Sequence, residues 1–371
     1  MKKIPLEHRR LLASYRMPAE WEPHLATYIV WAHNPDTWPG KFEAAPPIFA
    51  RMAAVIARFE PVRVLVKDAD AIDSVRAMIS AQAGGDKAVI SRVELLHLAT
   101  NDSWIRDHGP IFVNRIKAGD GPAQIALDWR FNSWGEKYGA FDLDDAVPQK
   151  LGKRYAFDVI EPGIVLEGGS IEVNGAGTVL TTESCLLNPN RNADLSREDI
   201  EDYLRSYLGV SNVLWLGEGI DGDDTDGHID DLARFVAPGT ILAVVEEDPL
   251  DVNHAVLQEN AKRLSAMRDE AGRAFRIETM PMPHPVVYDN TRLPASYANF
   301  YIANGGIVMP TFDCPNDSVA AATLERLFPG RRVVGVPSSD LVWGLGSIHC
   351  LTQQHPQPPS RWTGRAASAL G

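Results

Sequence analysis

Residues 164–182, IVLEGGSIEVNGAGTVLTT, contain the stretch that decides the fold. The apolar segment from Ile164 to Val173 predicts a strand, and Asn174-Gly175 is the strongest short-range signal for a tight hairpin turn. Thr178–Thr182, rich in β-branched residues, predicts the returning strand. The segment therefore predicts a β-hairpin.

A helix and a further strand follow this hairpin. Ser196 is a suitable N-cap, and Asp199 stands three residues later, where an acidic side chain can bond back to the cap. The apolar face of this helix consists of Ile200, Tyr203, Leu204 and Leu208. Residues 212–216 predict a strand. Hairpin, helix and strand thus form one unit.

The same order of elements recurs twice further along the chain. The second copy has a hairpin through Pro238-Gly239, a helix over 249–271 and a strand over 275–280. The third has a hairpin through Asn304-Gly305, a helix over 316–328 and a strand over 332–336. The turn centres at 175, 239 and 305 are 64 and 66 residues apart, which indicates an internal repeat of about that length.

The two ends of the chain supply the remaining elements. A less regular copy covers 109–160, with strands over 111–114 and 124–132. Unpaired elements are left over, namely a strand over 26–31, a helix over 44–59, a strand over 62–66 and a strand over 347–353. If these ends pair, they complete a fifth unit and close a ring without sheet edges. The prediction is an α/β fold, a five-bladed pseudo-symmetric propeller closed by the termini; the alternative is an open α/β sheet.

Length and composition limit the classes of protein that fit. The chain has 371 residues, 45% of them hydrophobic, and a formal charge of −13, so a basic nucleic-acid binder is excluded. No apolar run approaches the length of a membrane span, and the charged first residues do not resemble a signal peptide. We expect a cytoplasmic protein with one domain over 1–371, comprising an N-terminal arm at 1–15 and a poorly ordered tail at 356–371.

Ionisable residues open the first strand of each predicted unit. Asp107, Glu167 and His228 are separated by 60 and 61 residues. The other residues at such positions are Asp230, Asn299 and Cys350. Because equivalent strand starts in a ring face one axis, we expect these side chains to converge, with His228 and Asp230 on the same face of a strand.

This collection of side chains suits one kind of chemistry. Two carboxylates across a cleft match a planar guanidinium, whose donors form a fixed fork. A thiol beside a positive charge has a lowered pKa and becomes a nucleophile, and a histidine oriented by a carboxylate can move protons. The set predicts thiolate attack on a guanidinium carbon, loss of ammonia, and hydrolysis of the covalent adduct.

Single residues in the set also have structural interpretations. Lone cysteines are usually buried small hydrophobes, and we interpret Cys185 and Cys314 in that way. Cys350 differs, because Gly344 and Gly346 precede it and allow close backbone approach. Two neighbouring residues are also considered. Trp104 could stack on a delocalised cation or pack in the core, and Arg106 is expected in an ion pair. His349 is interpreted as structural, facing the opposite side of the strand.

A metal enzyme and a binding protein are the alternatives. Asp226, His228 and Asp230 have the spacing of manganese ureohydrolases, but the second aspartate cluster that such enzymes need is missing, since Glu246-Glu247-Asp248-Pro249 does not supply it. The sequence therefore predicts no metal. The other alternative, a propeller-shaped protein that binds cationic ligands without catalysis, is not excluded by the sequence.

The motifs together resemble the agmatine deiminase and bacterial peptidylarginine deiminase family, within the guanidine-modifying enzymes that share the five-bladed, pentein-type propeller. The resemblance covers nearly the whole chain. It is carried by MPAEWEPH at 17–24, WIRDHGP at 104–110, RFNSWG at 130–135, LEGGS at 166–170, TTESCLLN at 181–188, TDGHID at 225–230 and GSIHCLTQQ at 346–354.

The resemblance implies roles for the converging residues. Cys350 would be the nucleophile and His228 the general acid and base. Asp107 and Asp230 would grip the guanidinium, while Glu167 would hold substrate nitrogens and orient the imidazole. Trp104, Asp224, Asn299 and Gly346 are assigned to substrate binding. No cofactor is implied, and agmatine would give N-carbamoylputrescine and ammonia, a step of polyamine (putrescine) biosynthesis.

The tail of the substrate decides between members of the family. Asp224, four residues before His228, could meet the distal ammonium of agmatine, whereas a peptidylarginine enzyme would need a cationic partner for a carboxylate. His108, Glu136 and Asp231 differ from the agmatine pattern. We expect a small cationic guanidino substrate, most simply agmatine. The alternatives are peptidylarginine deimination and, less favoured, amidino transfer. The chain could form a homo-oligomer.

Overall fold

The unit predicted for residues 164–216 is present in the structure, a computed structural model that describes residues 3–118 and 121–359. Strands Glu172–Val173 and Thr178–Thr182 pair antiparallel, helix Arg197–Leu208 follows, and strand Asn212–Leu216 lies parallel to Thr178–Thr182. The predicted order of hairpin, helix and parallel strand is therefore confirmed for this unit.

The two later units repeat this topology. The first of them consists of strands Ala233–Ala237 and Thr240–Val245, helix His254–Ala266 and strand Arg276–Pro281. The other consists of strands Tyr301–Ala303 and Gly306–Thr311, helix Asn316–Leu327 and strand Arg332–Pro337. In both, the hairpin pair is antiparallel and the strand after the helix is parallel, as the sequence predicts.

The earlier copy has the same order of strands and helix, with one additional strand at the edge of its sheet. Its elements are strands Ile111–Arg115 and Gln124–Leu127, helix Val147–Tyr155 and strand Asp158–Ile160. Strand Tyr15–Arg16 pairs antiparallel with Ile111–Arg115, so the predicted N-terminal arm, which contains helix Leu6–Leu12, leads directly into this sheet.

The two ends of the chain meet in one sheet. Strand Gln353–Pro356 pairs antiparallel with His24–Val30, which lies parallel to Val62–Val66, and Val93–His97 extends the sheet. Helices Ala45–Ile56 and Ile72–Gln82 make the parallel connections. This pairing confirms that the termini share a sheet. Residues 360–371, most of the predicted tail, lie outside the described residues.

Short elements complete the mixed α/β fold. The remaining four-residue helices are Lys87–Ile90, Ile105–His108, Ser133–Glu136, Asp142–Asp145, Glu183–Leu186 and Pro189–Asn192. The 3-10 helices are Pro35–Thr37, Phe42–Ala44, Ala69–Ala71, Gly168–Ser170, Ile229–Asp231 and Leu341–Gly344, and a small hairpin joins Val287–Tyr288 to Thr291–Arg292. Among the described residues, no helix combines the length and apolar character needed to cross a membrane.

Two strand predictions were wrong at the points where the chain approaches its polar interior. Residues 347–351 were expected to begin the last strand, but 348–351 form a turn, and Ile164–Val173 is interrupted by the 3-10 helix Gly168–Ser170. Side-chain bonds to the backbone replace the strand ladder there: the Thr352 hydroxyl donates to the Ile348 carbonyl, 2.9 Å away. The helix expected from residue 249 begins only at His254.

Helix Arg197–Leu208 shows how local sequence sets an element. The Asp199 amide donates to Ser196 Oγ at 3.2 Å, and the Ser196 amide donates to Asp199 Oδ2 at 3.0 Å, which forms a capping box. The helix ends at Gly209, whose φ of 68° is left-handed, and a Cβ there would lie 2.1 Å from the Tyr15 carbonyl oxygen. Glycine is therefore required at this end.

The replacement Ser196→Ala tests the cap. We expect the free energy of unfolding to fall by about 1 kcal/mol, because the Asp199 amide loses its acceptor. Urea unfolding followed by circular dichroism measures the change. Ser265→Ala is the matched control, since the Ser265 hydroxyl bonds within its own helix to the Lys262 carbonyl; an equal loss in both variants would contradict the capping role.

Candidate active site

The predicted site residues occupy irregular segments beside the sheets. Asp107 lies in helix Ile105–His108, Glu167 directly precedes a 3-10 helix, and His228 directly precedes another. Cys350 lies in the turn before the last strand. The expectation that His228 and Asp230 share a strand face was therefore wrong in its premise, because Asp230 belongs to the 3-10 helix Ile229–Asp231.

Cys350 is held by a buried amide. Its side chain is 6% exposed, and Asn299 Nδ2 donates to Sγ at 3.0 Å. The same Nδ2 donates to Asp231 Oδ1 at 3.0 Å, and Asn299 Oδ1 accepts from the Ser347 hydroxyl and the His349 amide at 2.9 Å each. Asn299 therefore fixes both the thiol and the turn that carries it.

Acidic side chains surround the thiol. Asp230 Oδ2 lies 3.8 Å from Cys350 Sγ. Burial raises the pKa of the thiol well above its ordinary value, and the negative charges of Asp230, Asp231 and Asp107 raise it further. A cation bound among these acids would offset the repulsion that disfavours the thiolate.

His228 lies between two carboxylates. Its Nδ1 is 3.7 Å from Asp107 Oδ1, and its Nε2 is 4.0 Å from Glu167 Oε2. Burial, the largest single influence, lowers the pKa of the imidazole, but the Asp107 charge, the contact with Cys185 and the Asp230 charge together outweigh it, and the pKa lies well above the ordinary value. A Cβ at Gly169 would lie 2.5 Å from His228 Nδ1, so only glycine allows this approach.

The carboxylates are oriented while keeping free oxygens. Asp107 accepts from the Gly169 amide at 2.9 Å and from Trp134 Nε1 at 3.0 Å, and burial raises its pKa to about 6. Glu167 Oε1 accepts from Arg191 Nε at 2.6 Å. Within the described residues, Glu167 Oε2 and Asp230 Oδ1 are buried without a hydrogen-bond partner. These two oxygens suit the donors of a guanidinium.

A buried network beneath the site was only partly anticipated. His349 Nδ1 and Nε2 lie 2.7 Å from Asp230 Oδ2 and Glu20 Oε2, so its structural role agrees with the prediction although its segment is a turn. Arg106 forms the expected ion pair, 3.3 Å from Glu20. Sequence reasoning assigned no role to Glu20 or Arg234; the available signal was Arg234 itself, a charge within the apolar strand Ala233–Ala237.

A cavity of about 500 Å³ leads to the site. Trp104, Asp107, Asp224, Gly346 and Cys350 are among the residues that line it. A Cβ at Gly346 would lie 2.5 Å from the Trp104 ring, so these two residues form one close-packed wall. The acidic lining consists of Asp36, Asp102, Asp107, Asp144 and Asp224, and the described lining contains no lysine, arginine or histidine.

Asp224 lies on the cavity wall rather than at the reacting groups. Its carboxylate accepts from the Tyr138 hydroxyl, and burial raises its pKa. Tyr138 and Trp134 also line the cavity, and neither was identified from the sequence. Trp134 lies within the RFNSWG motif and Tyr138 follows it, and residues 133–136 all have φ values between 54° and 94°. This left-handed turn directs Trp134 towards Asp107.

The manganese-type cluster is not assembled. Asp226 accepts from Lys137 at 2.8 Å, Asn190 at 2.9 Å and Arg191 at 2.6 Å, so its carboxylate is committed to these cations and amides. Cys185 is fully buried, as expected for a small hydrophobe. The structure adds that its sulfur lies within 4.8 Å of ligand atoms of Glu167 and His228, which the sequence did not indicate.

Comparison with known proteins identifies the family. A model of the Porphyromonas-type peptidyl-arginine deiminase family matches residues 16–356. The chain belongs to this family.

Relatives in the family match the chain over nearly its whole length. The agmatine deiminase of Ectopseudomonas mendocina is 40% identical, with 93% of this chain and 96% of the relative covered. The solved agmatine deiminase of Enterococcus faecalis superposes with a TM-score of 0.87 at 33% identity, covering 97% and 99% of the two chains. A second agmatine deiminase, from C. jejuni, has a TM-score of 0.77 at 29% identity, covering 92% and 96%.

Trp134→Phe tests whether the indole positions Asp107. The phenyl ring keeps most of the packing but removes the donor at 3.0 Å from Asp107 Oδ2. We expect affinity for agmatine, measured by titration calorimetry, to fall by about 10- to 100-fold, which corresponds to a charge-assisted hydrogen bond of about 1.5–3 kcal/mol. Trp129→Phe is the control, because Trp129 Nε1 has no partner within the described residues. Equal losses in the two variants would contradict the assignment.

Proposed function

We propose that this protein is a deiminase that hydrolyses agmatine to N-carbamoylputrescine and ammonia through a covalent adduct on Cys350. The observation that carries the proposal is a buried thiol 3.8 Å from Asp230, whose Oδ1 has no hydrogen-bond partner within the described residues, on a cavity that Asp107 also lines. Membership of the deiminase family supports the same chemistry. The proposed reaction uses side chains and water alone.

The substrate guanidinium completes the charge balance of the site. Its planar donors would face Asp107 on one side and Asp230 on the other, with Glu167 Oε2 beside the imidazole. Without the substrate, the acids hold Cys350 as a thiol. A bound cation lowers the free-energy cost of the thiolate, so the Cys350 thiol releases its proton to solvent water when the guanidinium binds, and the nucleophile forms where the electrophilic carbon is already positioned.

The first half of the reaction releases ammonia. The Cys350 sulfur forms a bond to the guanidinium carbon, and the resulting tetrahedral adduct carries three nitrogens. His228, held in the charged form beside Asp107, donates a proton to the leaving nitrogen. The carbon–nitrogen bond breaks, ammonia leaves, and an amidine thioester remains on the sulfur.

The second half returns the free enzyme. His228, now neutral, takes a proton from a water molecule that attacks the same carbon. The new tetrahedral adduct collapses, the carbon–sulfur bond breaks, and the ureido product carries the oxygen from water. If an acceptor amine replaced water, the same adduct would give amidino transfer, the less favoured alternative.

The cavity lining favours agmatine over substrates that carry a carboxylate. Five aspartates and no cationic side chain face the described part of the cavity, so the carboxylate of free arginine or of a C-terminal arginine would find no partner there. A distal ammonium would be stabilised, with Asp224 as the proposed contact. Peptidylarginine remains the alternative within the family, and a screen of agmatine, free arginine and a blocked arginyl peptide separates the three.

The repeated sheets also support a proposal for the architecture. The hairpin, helix and parallel strand occur in four consecutive units, and the paired termini supply a fifth sheet. We propose that these five sheets surround one axis as a closed propeller with the site at one end, forming a single domain. Closure would explain why residues far apart in the chain meet at Cys350.

Cys350→Ser tests the covalent mechanism. A hydroxyl is a far weaker nucleophile than a thiolate, so we expect ammonia release from agmatine to fall by more than about 1,000-fold. Cys314→Ser is the control, because Cys314 contacts Tyr297 and lies away from the cavity lining. Selective labelling of Cys350 by 2-chloroacetamidine, read by mass spectrometry, is a second measurement. Substantial turnover by Cys350→Ser would end the proposal.

Asp224→Asn tests recognition of the substrate tail. Removing the charge should raise KM for agmatine by about 10-fold or more, as expected for the loss of a charge-assisted contact of about 1.5–3 kcal/mol. Butylguanidine lacks the distal ammonium, so its KM should change little. Asp36→Asn, a more exposed acid of the same cavity, is the matched control. A similar rise for both substrates would assign Asp224 to the structure of the wall.

A further inference from the structure

A second thiol lies behind the imidazole and has no part in the proposed reaction. Cys185, His228 and Glu167 each offer one ligand atom, and these atoms all lie within 4.8 Å of one another. The three side chains are at most 1% exposed. His228 Nδ1 is 3.7 Å from Asp107, which lines the cavity, so the group is one residue away from the substrate entrance.

Several atoms of this group are unsatisfied. Among the described residues, Glu167 Oε2 and both ring nitrogens of His228 are buried without a hydrogen-bond partner. Buried polar atoms are normally paired, because an unpaired one costs free energy. Glu167 is oriented from outside the group, since Arg191 Nε binds its other oxygen at 2.6 Å. Potential metal-ligand atoms without hydrogen-bond partners in the described residues therefore lie close together in this group.

The donor set has a definite chemical preference. One thiolate, one imidazole and one carboxylate match Zn²⁺, which binds sulfur, nitrogen and oxygen and often keeps a fourth position for water. Mg²⁺ and Ca²⁺ favour sites made only of oxygen ligands. The set therefore selects a borderline transition-metal cation.

We propose that Cys185, His228 and Glu167 bind a zinc-class divalent cation, and that the bound ion blocks the enzyme. The Cys185 thiol would release its proton to water as the metal–sulfur bond forms. The imidazole would then hold a metal ion in place of the proton that it must transfer. Inhibition rests on the proposed function, whereas binding of the ion does not.

A neighbouring group is the competing explanation for metal binding. Asp230, Asp231 and Cys350 also place ligand atoms within 4.8 Å of one another. This group already has hydrogen bonds: Asn299 donates to both Cys350 and Asp231, and His349 contacts Asp230 Oδ2, although Asp230 Oδ1 has no partner within the described residues. A metal ion there would compete with these bonds, whereas both ring nitrogens of His228 lack a partner among the described residues, so the Cys185 group is favoured.

Co²⁺ binding distinguishes the two groups without using activity. Co²⁺ is added to the full-length Cys350→Ser variant, where we expect the near-ultraviolet charge-transfer band of a Co²⁺–thiolate bond. The band should disappear in the double variant Cys185→Ser/Cys350→Ser, with Cys185→Ala/Cys350→Ser as the second test and thermal unfolding as the check on folding. Absence of the band in Cys350→Ser, or its survival in a folded double variant, would overturn the proposal.

Inhibition is then measured on enzyme with Cys350 intact. We expect Zn²⁺ to inhibit wild-type ammonia release reversibly, with recovery after a chelator, and Mg²⁺ and Ca²⁺ to have no such effect. Cys185→Ala should raise the half-inhibitory Zn²⁺ concentration, relative to its own uninhibited rate, by more than about 100-fold. An unchanged concentration would place the inhibitory ion elsewhere. Inactivity of the metal-free wild type would instead count against the proposed function, leaving the Co²⁺ result valid.

Discussion

The carboxylate of Glu20 holds together the segments that form the candidate site. It lies 2.7 Å from His349 Nε2, 3.0 Å from Arg234 and 3.3 Å from Arg106, and it accepts from the Ile302 amide at 2.8 Å. Two arginines and an imidazole outweigh the cost of burying this charge, and its pKa lies well below the ordinary value. The N-terminal segment is thereby joined to four distant parts of the chain.

This network affects the charge state of Asp230, which lies between the network and Cys350. His349 contacts both Glu20 and Asp230. Burial alone would raise the pKa of Asp230, but the hydrogen bond and charge of the His349 imidazole lower it. Asp230 therefore stays ionised beside Cys350 and contributes to the raised pKa of the thiol. Such a site disfavours the thiolate form of Cys350 in the absence of a bound cation.

Particular residues show where reading the sequence succeeded and where it failed. Asp107, Glu167, His228 and Cys350 were selected by equivalent positions in repeated units; His228 lies 3.7 Å from Asp107 and 4.0 Å from Glu167, and Cys350 lines the same cavity as Asp107. The assumed reason was partly wrong, because they lie in short helices and turns rather than on strands. The residues converge nonetheless, since each of these segments adjoins a sheet at the same position in the repeat. Trp134 was missed because its role depends on a left-handed turn that no local pattern announces.

The order of strands and helices and its repetition are encoded locally, by turn residues, helix caps and apolar periodicity, and equivalent positions in the repeat point to the candidate reacting side chains. Those features act over a few residues, so they can be read directly. Other features depend on contacts between residues far apart in the chain. They are the position of the Asp230 carboxylate beside the thiol, the Glu20 network and the closeness of Cys185 to His228. Only folding brings such atoms within bonding distance, and burial then shifts the pKa values of their groups. These features are therefore decided by the tertiary structure.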